Sequence, residues 1–216
     1  MQAVLVGATG ATGRELLQLL LADGSFTRVD IFVRRDPGVR HAKLHVHQVD
    51  FTRPDGWRHL VRGDVLFSCL GTTLKAAGSQ AAQWQIDYAA NLAFAQAARA
   101  NGVQTLALVS SAGANAHSRF FYPRMKGELE NALNTLHFSH LLIFRPPLLA
   151  RPNSDRLGEK LAERVFAALN AVGLFKSQRP LPVADLTRAM LKAASNLPPG
   201  KVQIYPPAAI RAMLGD

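Results

Sequence analysis

Tyr122-Pro-Arg-Met-Lys126 sets a phenol and an ammonium four residues apart, and two serines, Ser110 and Ser111, stand shortly before them. Residues i and i+4 share a helix face. A free tyrosine hydroxyl titrates at about 10 and is a poor acid–base group at neutral pH. A lysine cation beside it stabilises the phenolate and lowers that value. A phenol tuned in this way can pass a proton to a carbonyl oxygen. A serine hydroxyl at the same edge can hydrogen-bond that oxygen as charge develops. Tyr-x-x-x-Lys arises by chance in many helices, so its weight rests on what surrounds it.

What surrounds it begins at the N-terminus. "VLVGATGATGRELLQLLL" (4–21) follows a short apolar run and leads into leucines at helical spacing, Leu16, Leu17, Leu20 and Leu21. The turn between them is Gly7, Ala8, Thr9, Gly10, Ala11, Thr12, Gly13. The first glycine permits a tight turn, the second clears space for a pyrophosphate, and the third lets the helix pack close to the strand. The helix N-terminus points free N–H groups at the phosphates. Between a first strand and a first helix, this spacing reads as a dinucleotide-binding turn.

The second strand ends "IFVRRDPG". NAD-preferring sites place an acidic residue there for the ribose hydroxyls. Arg34 and Arg35 occupy that place instead, and guanidinium groups match phosphate geometry with paired hydrogen bonds. The expected cofactor is therefore NADP(H), with Arg14 able to add to the same pocket and Asp36 turned to solvent. Asp50 and Phe51 close the third strand, where the adenine edge is expected. Leu70, Gly71 and Thr72 follow the fourth strand, at the carboxyl edge where ligands bind.

Strands are expected at 2–6, 28–34, 43–50, 64–70, 103–111, 138–147 and 201–206. Helices are expected at 12–23, 79–102, 118–136, 156–173 and 185–196, with Ser118 capping the third and Pro123 tolerated in its first turn. Alternating strands and helices imply an α/β fold: a three-layer, doubly wound parallel sheet, the Rossmann fold. The 216 residues suit a single domain, with 148–216 contributing a substrate lobe. Leu157, Leu161, Val165 and Phe166 in that lobe can shape an apolar pocket or simply pack.

Composition narrows the classes. The single cysteine, Cys69, excludes an internal disulfide and reads as a small buried hydrophobe. His45 and His47 share a strand face with His41 near; without a cysteine or acid at matching spacing they read as surface residues, and no metal is expected. His117 reads as a loop residue. The formal charge of +10 is scattered, with no basic run, so nucleic acid is not an expected partner. No apolar run is long enough to cross a bilayer. Met1 and Gln2 lead straight into "AVLVG" with no basic region or cleavage site, and a cytoplasmic location is expected.

Together, GATGATG, the Arg pair, "VDF", "CLGTT", "SSAGA", Tyr122-x-x-x-Lys126-Gly-Glu and "FRPP" resemble the short-chain dehydrogenase/reductase superfamily in an atypical branch, from Val4 to about Met190. The resemblance implies an oxidoreductase with Tyr122 as proton donor, Lys126 as its activator and as a ligand of the nicotinamide ribose, and Ser111 in preference to Ser110 as the hydroxyl partner. It puts Arg145, Pro146 and Pro147 beside the nicotinamide. It implies a small-molecule carbonyl substrate and a monomer or homodimer. The GxxGxxG turn matches the extended and atypical branches, and the Ser111–Tyr122 interval is slightly short for the main branch. Atypical members include cofactor-binding regulators with little catalysis, so the alternative is an NADP(H)-sensing regulatory or protein-interaction protein.

Overall fold

A computed structural model of the chain describes residues 1–150 and 179–215. Its centre is a run of strands that cannot face water on either side. β1 (Gln2–Val6), β2 (Arg28–Val33) and β4 (Val65–Ser68) each bury four or more consecutive residues. Such runs suit a parallel sheet covered on both faces. With β3 (Leu44–Gln48), β5 (Thr105–Val109), β6 (His140–Phe144) and β9 (Val202–Tyr205) they form one seven-stranded sheet in the order β3-β2-β1-β4-β5-β6-β9. Every pair is parallel. The order reverses between β1 and β4, the switch point where such sheets open a ligand crevice. The doubly wound expectation is borne out.

Two apolar layers flank the sheet. On one face α1 (Ala11–Ala22) sets Leu16, Leu17 and Leu20 with Leu186, Ala189 and Met190 of α6 (Val183–Ser195) over Leu5, Ile31 and Phe67. On the other, Phe94 of α4 (Asn91–Ala100) and Leu129 and Leu133 of α5 (Phe121–Asn134) cover Val4, Phe32 and Leu106. Trp57 stacks on Phe94 at 4.0 Å between ring centroids and donates its indole N–H to the Asp50 carbonyl. That bond ties the end of the third strand's connection to the core.

Two expected helices differ in the structure. The 79–102 helix is three pieces: α3 (Gln80–Trp84), a π-helical turn (Gln85–Ala90) and α4. Asn91 explains the break. Its side-chain amide donates to the carbonyls of Leu70, Ile86 and Asp87, and the Ser68 hydroxyl bonds its Oδ1. The 118–136 helix starts at Phe121, because the Ser118 hydroxyl accepts from the Phe120 N–H and does not cap the helix. Pro123 is still within the first turn, where its missing N–H costs nothing.

Three short features carried too little periodicity to be expected: α2 (Leu74–Ala77), capped by the Thr73 hydroxyl, α7 (Pro207–Ala212), and the small parallel pair β7 (Leu149–Ala150) and β8 (Leu181–Pro182). The expected 156–173 helix, with the rest of 151–178 in the expected substrate lobe, lies outside the described residues.

Candidate active site

The glycine turn lies at the switch point, and each glycine meets different surroundings. Gly7 has φ +83°, and a Cβ there would fall 2.5 Å from the Cys69 carbonyl carbon. A Cβ on Gly13 would fall 2.1 Å from the Gly7 oxygen. These two glycines are required by the protein itself. Gly10 is exposed, and among the described residues a Cβ there would meet only the Gly7 oxygen, at 3.3 Å. α1 then begins with no side-chain cap and no acidic residue in its first turn. Uncapped N–H groups behind an open glycine form a cradle that suits an anionic pyrophosphate.

Arg34 and Arg35 are exposed just past the end of β2. Asp36 accepts from the Gly38 N–H and pairs with Arg40 at 2.8 Å, so its carboxylate is already engaged. Arg14 is exposed at the start of α1, with a guanidinium contact to the Thr9 carbonyl. Asp50 is exposed and turned onto Thr52, and Phe51 packs edge-on against Phe94. An open cleft of about 610 Å³ lies beside the loop between β2 and β3, lined by Asp36, Val39, Arg40, His41 and Val46, at the far edge of the sheet from α5.

At the other side of the switch point, α5 presents Tyr122 half in solvent and Lys126 in the interior, 38% and 2% exposed. The Lys126 ammonium lies 5.7 Å from the centre of the Tyr122 ring. The loop after β5 is fastened to this helix. The Asn115 N–H donates to the Pro123 carbonyl, and a Cβ on Gly127 would fall 2.2 Å from the Ala116 nitrogen. This contact holds the serines' loop against the helix that carries Tyr122.

The two serines are not equivalent. Ser110 is buried and donates to Glu130 Oε1 at 2.5 Å. Arg145 grips the same carboxylate with two bonds, of 3.1 and 2.5 Å. Ser110, Glu130 and Arg145 thus clamp the ends of β5 and β6 to α5. Ser111 is half-buried, and among the described residues its hydroxyl makes no hydrogen bond. Pro146 and Pro147 are buried, and the Pro146 carbonyl accepts from the Ala112 N–H.

One acid at this site escaped the sequence reading. Asp87, in the π-helical turn, is 0% exposed. Its Oδ2 accepts from the Thr72 N–H at 2.8 Å, and its Oδ1 lies 3.3 Å from the Lys126 ammonium. Burial pushes its carboxyl above the usual carboxylate range; the Lys126 charge and the Thr72 N–H pull the other way. The available signal was the one charged residue inside the mostly apolar run "QIDYAANLAF", where a charge needs a partner.

The remaining candidates are structural. His47 stacks on Phe32 and contacts Asp30 at 2.6 Å, and Arg28 pairs with the same acid. Asp30 was the acidic partner that spacing alone did not show. Among the described residues no three His, Cys, Asp or Glu side chains are grouped to hold a metal, and no helix is long and apolar enough to cross a membrane. Cys69 packs partly buried against the core, and burial pushes its thiol up to about 12. His117 is exposed.

A family model described as NAD(P)H-binding matches residues 7–141, from the first glycine through β6. This chain belongs to the NAD(P)H-binding family. Protein FMP52-1 of Scheffersomyces stipitis is 33% identical over 201 residues, covering 90% of this chain and 88% of its own length. An oxidoreductase of the short-chain dehydrogenase/reductase family from Burkholderia thailandensis superposes with a TM-score of 0.70 at 19% identity, over 99% of this chain and 95% of that one. The UDP-glucose 4-epimerase of Thermus thermophilus, solved with NAD, gives a TM-score of 0.71 at 17% identity, over 100% and 83%. The NAD(P)H-binding family and the Rossmann fold are thereby established, and that fold is shared with a solved member of the short-chain dehydrogenase/reductase family. The cytoplasmic expectation is corrected. The fungal FMP52 relatives are named as mitochondrial proteins. Location was read from bulk composition and the absence of a signal pattern, and neither property of a folded domain encodes an address.

Proposed function

We propose that this member of the family is an NADP(H)-dependent oxidoreductase acting on a small carbonyl or alcohol substrate. The observation that carries the reading is the pairing of an uncapped, glycine-opened helix N-terminus with a Tyr122–Lys126 helix across the same switch point. Gly7 to Gly13 would hold the pyrophosphate, and Arg34 and Arg35 the 2′-phosphate of the adenosine ribose. Asp50 and Phe51 would border the adenine. Leu70, Gly71, Thr72, Pro146 and Pro147 would border the nicotinamide half. Arg145 would act there through its clamp on Glu130. The bound cofactor supplies or accepts a hydride.

The chain's own residues do the rest. The Tyr122 hydroxyl gives a proton to the carbonyl oxygen in reduction and takes it back in oxidation. The Lys126 ammonium, buried beneath it, favours the phenolate left behind and anchors the nicotinamide ribose. The Ser111 hydroxyl, which no protein group engages among the described residues, donates to the carbonyl oxygen as its charge grows. The substrate is a small molecule, and the unit is a monomer or homodimer.

Calorimetric titration with NADPH and NADH, followed by turnover on a panel of carbonyl compounds, tests the reading. NADPH should bind ahead of NADH. Replacing Arg34 and Arg35 with Ala should weaken NADPH binding about tenfold or more and spare NADH; equal losses would sink the 2′-phosphate assignment. Tyr122→Phe should abolish turnover with cofactor binding retained. NADPH binding with no turnover across the panel would favour the regulatory alternative.

A further inference from the structure

We propose that Asp87 is a positioning residue for the nicotinamide half of the cofactor site, acting through Lys126. The inference rests on the NADP(H) reading above and adds a residue to it. Three facts carry it. Asp87 is fully enclosed, yet its Oδ1 makes no well-aligned hydrogen bond among the described residues and faces only the Lys126 ammonium, at 3.3 Å. Its Oδ2 fixes the Thr72 N–H, in the loop that follows β4. A Cβ on Gly71 in that loop would lie 3.4 Å from Oδ1, so the loop backbone passes directly over the carboxylate.

The backbone around Asp87 is shaped to deliver this contact. The π-helical turn places Asp87 beneath the loop, and Asn91 holds the turn open by binding the Ile86 and Asp87 carbonyls. π-Helical turns inside α-helices are frequent at functional sites. Gln83, also buried, donates to the Thr72 carbonyl from the preceding turn, so Thr72 is gripped on both sides. Glu130, one turn beyond Lys126 on α5, is occupied by Ser110 and Arg145 and does not serve the lysine. Asp87 is thus the carboxylate that both keeps a buried ammonium in place and locks the adjoining loop. A long lysine side chain loses much of its rotamer freedom when its head is tethered, and the tether prepares it for the ribose hydroxyls.

The test uses two ligands that differ only in the half of the site they reach. NADPH spans both halves; adenosine 2′,5′-bisphosphate carries the adenine and the 2′-phosphate without the nicotinamide ribose. Asp87→Asn keeps an acceptor for the Thr72 N–H and removes the charge facing Lys126. Calorimetry should show NADPH affinity falling about tenfold with adenosine 2′,5′-bisphosphate within about twofold of wild type. Equal losses for both ligands would mean Asp87 only supports the fold, and unchanged NADPH binding would mean it positions nothing; either overturns the proposal. If Asp87→Asn does not fold, Lys126→Met is compared with the Asp87→Asn/Lys126→Met double variant, in which no buried charge is left unpaired. The two should bind NADPH alike, because Asp87 acts only through the lysine; a further loss in the double variant refutes the assignment. Wild-type protein that binds neither ligand would instead fail the cofactor reading, and this assignment with it.

Discussion

Gly10 and Gly13 stand three residues apart in one turn, and the geometry predicts opposite consequences for adding a methyl group to each. In Gly13→Ala the new Cβ would sit 2.1 Å from the Gly7 oxygen and 2.6 Å from the Gly7 carbonyl carbon. Both are backbone atoms, so α1 or the turn must retreat by about 1 Å. Forcing a packed interior apart costs about 1–3 kcal/mol or more. For a domain of this size that lowers Tm by roughly 3–10 °C. In Gly10→Ala the Cβ meets, among the described residues, only the Gly7 oxygen, at 3.3 Å, which a shift of a few tenths of an ångström relieves. Tm should stay within about 2 °C of wild type. The methyl would then stand in the cradle itself, and NADPH affinity should drop about tenfold or more. Thermal denaturation by circular dichroism and calorimetric titration read the two effects separately. Gly10→Ala with unimpaired NADPH binding would refute the cradle; equal destabilisation by both variants would refute the division of roles.

Two other expectations follow from the side-chain network. Ser110→Ala strips a donor from buried Glu130 and should cost about 1–3 kcal/mol in urea unfolding. Ser111→Ala should leave stability within about 0.5 kcal/mol and lower kcat about a hundredfold; the reverse pattern would exchange the two roles. At acid pH the weak point is Asp30, 2% exposed. Burial alone would raise its pKa, but hydrogen bonds from Arg28 and His47 outweigh that and hold it at about 2. The folded value lies below the unfolded one, so the stabilisation is complete above about pH 5 and is lost as pH falls toward 2. It amounts to about 2 kcal/mol. The Tm gap between wild type and Asp30→Asn should shrink steadily from pH 5 to pH 2.5, and a constant gap would exclude the linkage.

Local pattern was enough for the frame. Strand runs such as "VDIFV" and the 3.6-residue rhythm of Leu16, Leu17 and Leu20 declare their own structure, because burial on two faces or one is written in adjacent residues. Alternation of these elements, with right-handed crossovers, then leaves few arrangements, and the observed strand order is one of them. The glycine turn was equally legible, since what a turn needs of φ and of space is set by the turn itself. The Tyr122–Lys126 pair is readable for the same reason: helical spacing alone brings them to one face.

Tertiary structure decided what depends on distant partners. Ser110 and Ser111 are neighbours in sequence with equal chemistry, and only Glu130, arriving from α5 and held by Arg145 at the end of β6, occupies the Ser110 hydroxyl, while among the described residues that of Ser111 is unengaged. Asp87 lies within a single expected helix, and only the turn that Asn91 opens in that helix brings the acid to Lys126. His47 looked unpartnered until the register of β3 on β2 brought it to Asp30. In each case the deciding quantity is the distance between groups that the chain separates by 15 or more residues. Composition and spacing carry no such distance; the packing of the sheet, its helices and the π-helical turn creates it.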